Sequence, residues 1–220
     1  MRIDNDLTPK VIQCDIHGHN GLAFSPDNQW MFTSDTPNGV IYRTPLDEKG
    51  EPGRREVFRQ FKEGEGIPDG AAMDVEGCYW SALFDGWRIA RFSPQGEQLE
   101  EYRMPVRCPT MVCFGGDDMK TLFITTTREN MDAEEMAKYP LSGAIFTLPV
   151  SVAGMKKSRF NRTLSRVNRD HVLARIAAQH LHGARDLAQF AQGFLHGCRF
   201  QVGLDIKVEH LFPRITMDRT

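Results

Sequence analysis

Two oxygen-bearing residues, Asn20 and Asp69, occupy the same place in two related stretches of the sequence, 20–27 and 68–74. In each stretch the polar residue is followed directly by a glycine. An amide oxygen and a carboxylate are hard ligands that suit Ca²⁺, Mg²⁺ or Mn²⁺, with Zn²⁺ as a further option. A divalent ion bound there would polarise a carbonyl group and lower the pKa of a bound water, which is the chemistry of a metal-dependent hydrolase.

The same dipeptides, Asn-Gly and Asp-Gly, are also common in tight turns, because these residues tolerate the backbone conformations that turns require. On the pattern alone, Asn20 and Asp69 therefore fit two interpretations, metal ligands or turn residues. Two histidines, His17 and His19, lie close to Asn20 and pose a similar choice between a transition-metal site and a solvated loop.

The elements that must position these residues form a repeat. A third, looser copy of the stretch occupies residues 109–116, so that the anchors Gly21, Gly70 and Thr110 are 49 and 40 residues apart. Each copy leads through a tight turn into an apolar run, and further short β-like segments follow. A repeat of four short strands on this period is typical of a β-propeller blade. We predict an all-β fold of about three blades, with Asn20 and Asp69 just before the first strand of successive blades.

The charge distribution divides the chain in two. Residues 1–155 carry 15 Lys and Arg against 24 Asp and Glu, whereas residues 156–220 carry 12 against 5 and five of the seven histidines. Turn residues of the blade type disappear after about residue 154. The sequence therefore predicts a partial propeller at 1–155 and a basic extension at 156–220, mostly helical or disordered and unrelated to the propeller.

The composition gives expectations about the cellular compartment and the binding partners of this protein. The net charge of −2 gives no reason to expect nucleic acid or a membrane as a partner. Neither a secretory leader nor an apolar stretch of about 18 residues is evident. The five cysteines are scattered and include no C-x-x-C pair, which suits a reducing compartment. We therefore expect a cytoplasmic protein.

An ordered set of motifs then resembles a known family. The stretches 20–27, 67–70, 77–80, 114–116 and 143–146 follow one another at the spacing found in senescence marker protein (regucalcin), gluconolactonases and related sugar lactonases. The resemblance covers roughly residues 5–155 and corresponds to the C-terminal half of such proteins. It implies a six-bladed propeller that hydrolyses sugar lactones with one divalent metal ion in its central channel.

The resemblance also implies roles for individual residues. In the family an early Glu, the Asn of Asn-Gly-Leu and the Asp of Pro-Asp-Gly hold the metal, and the last two correspond to Asn20 and Asp69. The Asp is also the family's candidate base for the attacking water, which assigns a catalytic role to Asp69. The early Glu, and the loop that grips the sugar, belong to blades that this chain does not contain.

The missing blades leave three hypotheses about function. A closed propeller needs at least about four blades, so three blades leave two open sheet flanks. A metal-dependent lactonase could result if two copies pair head to tail as a homodimer and restore six blades; truncation would otherwise impair the activity. The alternatives are a truncated, non-catalytic remnant or a propeller-type binding module.

Overall fold

The structure is a computed structural model that describes residues 1–4 and 8–156. Within this part, eleven strands form three successive antiparallel sheets, and two short strands form a separate pair. One compact unit, Met1–Arg2 with Lys10–Lys156, contains the three sheets. The strands are β1 (Arg2–Ile3), β2 (Pro9–Lys10), β3 (His19–Phe24), β4 (Trp30–Asp35), β5 (Val40–Pro45), β6 (Glu56–Gln60), β7 (Ile67–Met73), β8 (Tyr79–Phe84), β9 (Arg88–Phe92), β10 (Gln98–Arg103), β11 (Pro109–Gly115), β12 (Thr121–Thr126) and β13 (Ile145–Pro149).

Each sheet is a meander in which every strand pairs with the next one along the chain. The orders are β3-β4-β5-β6, β7-β8-β9-β10 and β11-β12-β13. Consecutive antiparallel pairing follows from the short turns rich in Pro, Asn, Asp and Gly that separate the strands. The prediction of an all-β propeller with about three blades is confirmed, and the third blade has three strands in the described residues.

The core lies between the sheets, and β8 shows how the sequence builds it. Side chains of a strand alternate between its two faces. Tyr79 belongs to the apolar cluster shared with the first sheet, whereas its neighbour Trp80 belongs to the cluster shared with the third. The ring of Tyr79 lies 5.5 Å from that of Phe32, and Trp80 meets Phe114 edge-on at 5.6 Å. The middle sheet is therefore buried on both faces and sets the stacking of the blades.

A short helix interrupts the third sheet. Helix α1 (Ala133–Lys138) lies between β12 and β13, inside the acidic insertion at 128–142. Its N-cap is Asp132, whose carboxylate accepts a hydrogen bond from the backbone of Glu135. No helix among the described residues combines the length and apolarity that crossing a membrane would require.

The predicted extension falls almost wholly outside the described residues. Of the range 156–220, the structure describes only Lys156. The boundary near residue 155, and the helical or disordered character expected beyond it, stay predictions.

Candidate active site

The candidate residues lie at one end of the sheets. Asn20 and Asp69 are near the starts of β3 and β7, and Thr110 is at the equivalent point of β11. Pairing puts Asn20 opposite Ser34, so the β4–β5 turn is at the same end. The β8–β9 turn and the connection from β12 to α1 share this end for the same reason. The blades therefore gather their loops around Asn20 and Asp69.

Both residues lie inside a strand, at a β-bulge, and not before the strand as the sequence predicts. In β3 the pairing shifts between Asn20 and Ala23, and in β7 it shifts between Pro68 and Ala71. A bulge adds one unpaired residue to a strand and redirects the side chains around it. The left-handed backbone of Gly21, at φ +57°, belongs to this bulge. The Asn-Gly and Asp-Gly dipeptides therefore mark bulges, which explains why they resemble turns.

Two glycines bring the first strands of neighbouring blades into close contact. A Cβ atom on Gly21 would lie 3.0 Å from the backbone oxygen of Asp69 and 2.2 Å from the hydroxyl of Tyr79. A Cβ atom on Gly70 would lie 2.7 Å from the backbone oxygen of Thr110. Only glycine permits these approaches. The stretches that contain Asn20 and Asp69 are thus adjacent in space, although 49 residues separate them.

Three hydroxyl groups hold the backbone of this region. Tyr79 donates a hydrogen bond of 2.7 Å to the backbone oxygen of Gly21, and Ser34 donates one of 3.2 Å to that of Asp69. Thr36 donates a third, of 2.7 Å, to Pro68. Burial raises the pKa of Tyr79 far above its usual value, so the phenol stays protonated and remains a donor. The sequence analysis missed these residues, because each acts from one blade on the first strand of a neighbouring blade.

The carboxylate of Asp69 is the electrostatic centre of the site. It is partly buried and accepts no hydrogen bond from the described residues. Burial raises its pKa to about 6, and the negative charge of Glu129 adds to the effect. A carboxylate of this kind is ionised at neutral pH but gains from a cation or from a proton. It is therefore suited to bind a metal ion or to accept a proton from water.

Asn20 and the two histidines are exposed on a segment held by Asp35. The buried carboxylate of Asp35 accepts hydrogen bonds of 3.4 Å from the backbone of His17 and Gly18. The ring of His17 lies 3.6 Å from the same carboxylate. Asp35 thereby fixes the chain just before Asn20, and the Asn20 amide is left accessible from solvent.

The residues present fit part of a site for a hard divalent ion. Asn20 and Asp69 supply neutral and charged oxygen donors on adjacent strands, and Asp69 lacks a neutralising partner among the described residues. Hard cations such as Ca²⁺ accept such donors together with water. No group of three or more His, Cys, Asp or Glu side chains in the described ranges is arranged to hold a metal. The two candidates therefore need additional ligands.

Comparison with known proteins identifies relatives of this chain. The family described as SMP-30/Gluconolactonase/LRE-like region matches residues 1–128. A 6-deoxy-6-sulfogluconolactonase from Pseudomonas putida is 53% identical over 161 residues, which are 73% of this chain and 55% of that protein. Regucalcin from Danio rerio is 38% identical over 134 residues, which are 60% of this chain and 45% of that protein.

Solved structures of regucalcin and of a gluconolactonase also resemble this chain. A calcium-binding regucalcin from Agrobacterium tumefaciens superposes with a TM-score of 0.66 and is 30% identical, over 69% of this chain and 52% of its own. A gluconolactonase from Xanthomonas campestris superposes with a TM-score of 0.53 at 27% identity, over 67% of this chain and 43% of its own. The chain thus spans about half the length of the relatives it matches.

Proposed function

This chain belongs to the SMP-30/gluconolactonase/LRE-like family, and we propose that its site takes part in metal-dependent hydrolysis of sugar lactones. The observation that carries the proposal is the carboxylate of Asp69. It is partly buried, it lacks a hydrogen-bond donor among the described residues, and it lies beside the strand of Asn20. The names of the relatives support lactones as the substrate class.

In the proposed reaction, Asn20 and Asp69 hold the ion. The carboxylate of Asp69 also accepts a proton from the attacking water. A bound Ca²⁺, Zn²⁺, Mn²⁺ or Mg²⁺ would supply Lewis-acid polarisation of the lactone carbonyl. Asp69 contributes a base whose pKa of about 6 leaves it ionised at neutral pH. Water adds to the carbonyl carbon as Asp69 takes its proton, the bond from that carbon to the ring oxygen breaks, and the proton passes from Asp69 to the ring oxygen, so that the product is the open-chain hydroxy acid.

The proposed activity requires a closed propeller, and therefore blades beyond the three in this chain. Two copies of the chain would supply six blades and close the channel. The third sheet supports this pairing, because its face away from the second sheet exposes Phe123 and Ile145, at 41% and 70%. We call these two residues the open face of the third sheet. An exposed apolar face of this kind suits another sheet as its partner.

The first experiment measures mass and activity on the same sample. Purified chain is separated by size with light scattering, and hydrolysis of D-glucono-1,5-lactone is assayed on each peak with EDTA or with Ca²⁺, Mn²⁺ or Zn²⁺. A defined dimer with metal-dependent hydrolysis supports the proposal. Metal and lactone binding without hydrolysis would instead favour the binding-module alternative, and an inactive species that binds neither would favour the remnant.

We expect Asp69→Asn to abolish the metal-dependent hydrolysis, because the amide can neither accept the proton nor neutralise the ion. Asp47→Asn is the matched control: Asp47 is exposed in the β5–β6 turn, where its carboxylate accepts backbone hydrogen bonds from Lys49 and Glu51. Its activity should equal that of the wild type. Activity retained by Asp69→Asn would reject the assigned role.

A further inference from the structure

The connection from β12 to α1 carries an acidic residue, Glu129, whose backbone is held on both sides. The backbone N–H of Glu129 donates a hydrogen bond of 3.1 Å to the hydroxyl of Thr127. On its other side, Arg107 donates one of 3.1 Å to the backbone oxygen of Asn130. Arg128, the residue before it, donates one of 2.7 Å to the backbone oxygen of Ser142. The backbone position of Glu129 is therefore fixed.

Arg107 attaches this connection to the second sheet. Its guanidinium lies 3.0 Å from the carboxylate of Asp85, in the β8–β9 turn, and 2.7 Å from that of Glu135 in α1. The ring of Trp87, from the same turn, meets Tyr139 edge-on at 4.8 Å. These ion pairs and this ring contact join the insertion to the neighbouring blade. The insertion therefore borders the end of the sheets where Asp69 lies.

The strand pairing places Glu129 at the same end of the sheets as Asp69. Thr126, three residues before Glu129, pairs with Pro109 at the start of β11. The next residue of β11, Thr110, has its backbone oxygen against Gly70, which follows Asp69. The effect of Glu129 on the pKa of Asp69 agrees with this placement. Glu129 itself is exposed, and its carboxylate makes no hydrogen bond or ion pair with the described residues.

We propose that Glu129 is a specificity-determining residue that accepts hydrogen bonds from hydroxyl groups of the lactone bound at Asp69. The inference rests on the proposed function, because it assumes that a lactone occupies this end of the sheets. A carboxylate has two acceptor oxygens, and it forms stronger hydrogen bonds with hydroxyls than a neutral acceptor does. A fixed backbone and an unpaired carboxylate beside the reacting centre are what such recognition requires.

The test compares two lactones on the full chain with its metal. D-Glucono-1,5-lactone carries hydroxyl groups, whereas 1,5-valerolactone has the same ester ring without them. We expect Glu129→Gln to lower kcat/KM for the hydroxylated lactone about tenfold, and Glu129→Ala to lower it further. Hydrolysis of valerolactone should change by less than about twofold in both variants, since that substrate offers no hydroxyl to lose. Glu134→Gln is the control. It removes the same charge as Glu129→Gln, but from an exposed residue in the first turn of α1.

The comparison separates this role from two others. A structural defect, or an altered Asp69, would slow both lactones by the same factor, and that outcome would overturn the proposal. Unchanged kcat/KM for the hydroxylated lactone in Glu129→Ala would overturn it as well.

A second measurement decides the case in which the wild type hydrolyses neither lactone. That result would reject the proposed hydrolysis, and calorimetry with D-glucono-1,5-lactam, a non-hydrolysed analogue, would then test Glu129 alone. Binding by the wild type and by Glu134→Gln that weakens tenfold or more in Glu129→Ala would support the role. Equal binding by all variants, or none by the wild type, would refute it.

Discussion

At the scale of single residues, the candidate site depends on the carboxylate of Asp69, which has no hydrogen-bond or ionic partner among the described residues. Most partly buried carboxylates are stabilised by a hydrogen bond or a cation. Asp69 has neither among the described residues, and its neighbour Glu129 is also acidic. A protein tolerates such a group where its charge is used, for example to hold a cation or to accept a proton.

This carboxylate gives a pH-dependent prediction for stability. The pKa of Asp69 is about 6 in the folded chain, above its usual 3.8. The folded state therefore binds the proton more tightly, and the stabilisation is fully present below the unfolded pKa and lost as the pH rises through about 6. In EDTA, Asp69→Asn should melt at a higher temperature than the wild type at pH 8, with a much smaller difference at pH 4. Equal melting temperatures at both pH values would contradict this, and Asp47→Asn should show no such gain.

At the scale of elements, glycines decide how closely the first strands of the blades approach. Gly21 combines a left-handed backbone with a Cβ position already occupied by Tyr79 and Ser34. Gly64, in the loop before β7, has a similar backbone, at φ +81°, but open space around it. Substituting each glycine by alanine therefore separates two contributions to the free energy of unfolding, that of the left-handed backbone and that of steric crowding.

We expect Gly21→Ala to lower the free energy of unfolding by about 3 kcal/mol. About 1 kcal/mol comes from the left-handed backbone, and the rest from forcing Tyr79 and Ser34 aside. Gly64→Ala should cost only about 1 kcal/mol, because it meets no neighbour. Urea unfolding of both variants measures the difference. Equal losses would mean that the close contact between β3 and β7 contributes little.

At the scale of the whole molecule, the proposed pairing of two copies depends on the open face of the third sheet. Its two apolar residues share one face, while the opposite face packs Val112 and Ile124 against the second sheet. If a second copy covers the open face, a charge there would desolvate on association and weaken it.

We therefore expect Phe123→Asp to shift a dimer towards monomer and to reduce lactone hydrolysis in parallel. Leu99→Asp is the control: Leu99 is an apolar, 49% exposed residue on β10, the last strand of the middle sheet, which lies between the chain's own first and third sheets. It should leave the mass unchanged. Sedimentation velocity measures both variants, and a Phe123→Asp chain with the mass of the wild type would exclude the open face from the interface.

The strands and turns of each blade can be predicted from the sequence, because strands and hairpin turns depend on neighbours a few residues apart. Alternating side chains at 88–92 and turn residues between strands sufficed to predict β9 and its neighbours. The family motifs likewise singled out Asn20 and Asp69. The segment 128–142 is acidic, but nothing in its own sequence indicates that it lies at the site.

The surroundings of these residues follow from contacts between distant parts of the chain. The bulges that contain Asn20 and Asp69 depend on pairing with β4 and β8, whereas the sequence alone placed both residues just before a strand. The raised pKa of Asp69 depends on burial and on Glu129, 60 residues further along the chain. Such properties arise from contacts between blades, and contacts between residues far apart in sequence leave no periodic pattern from which to predict them.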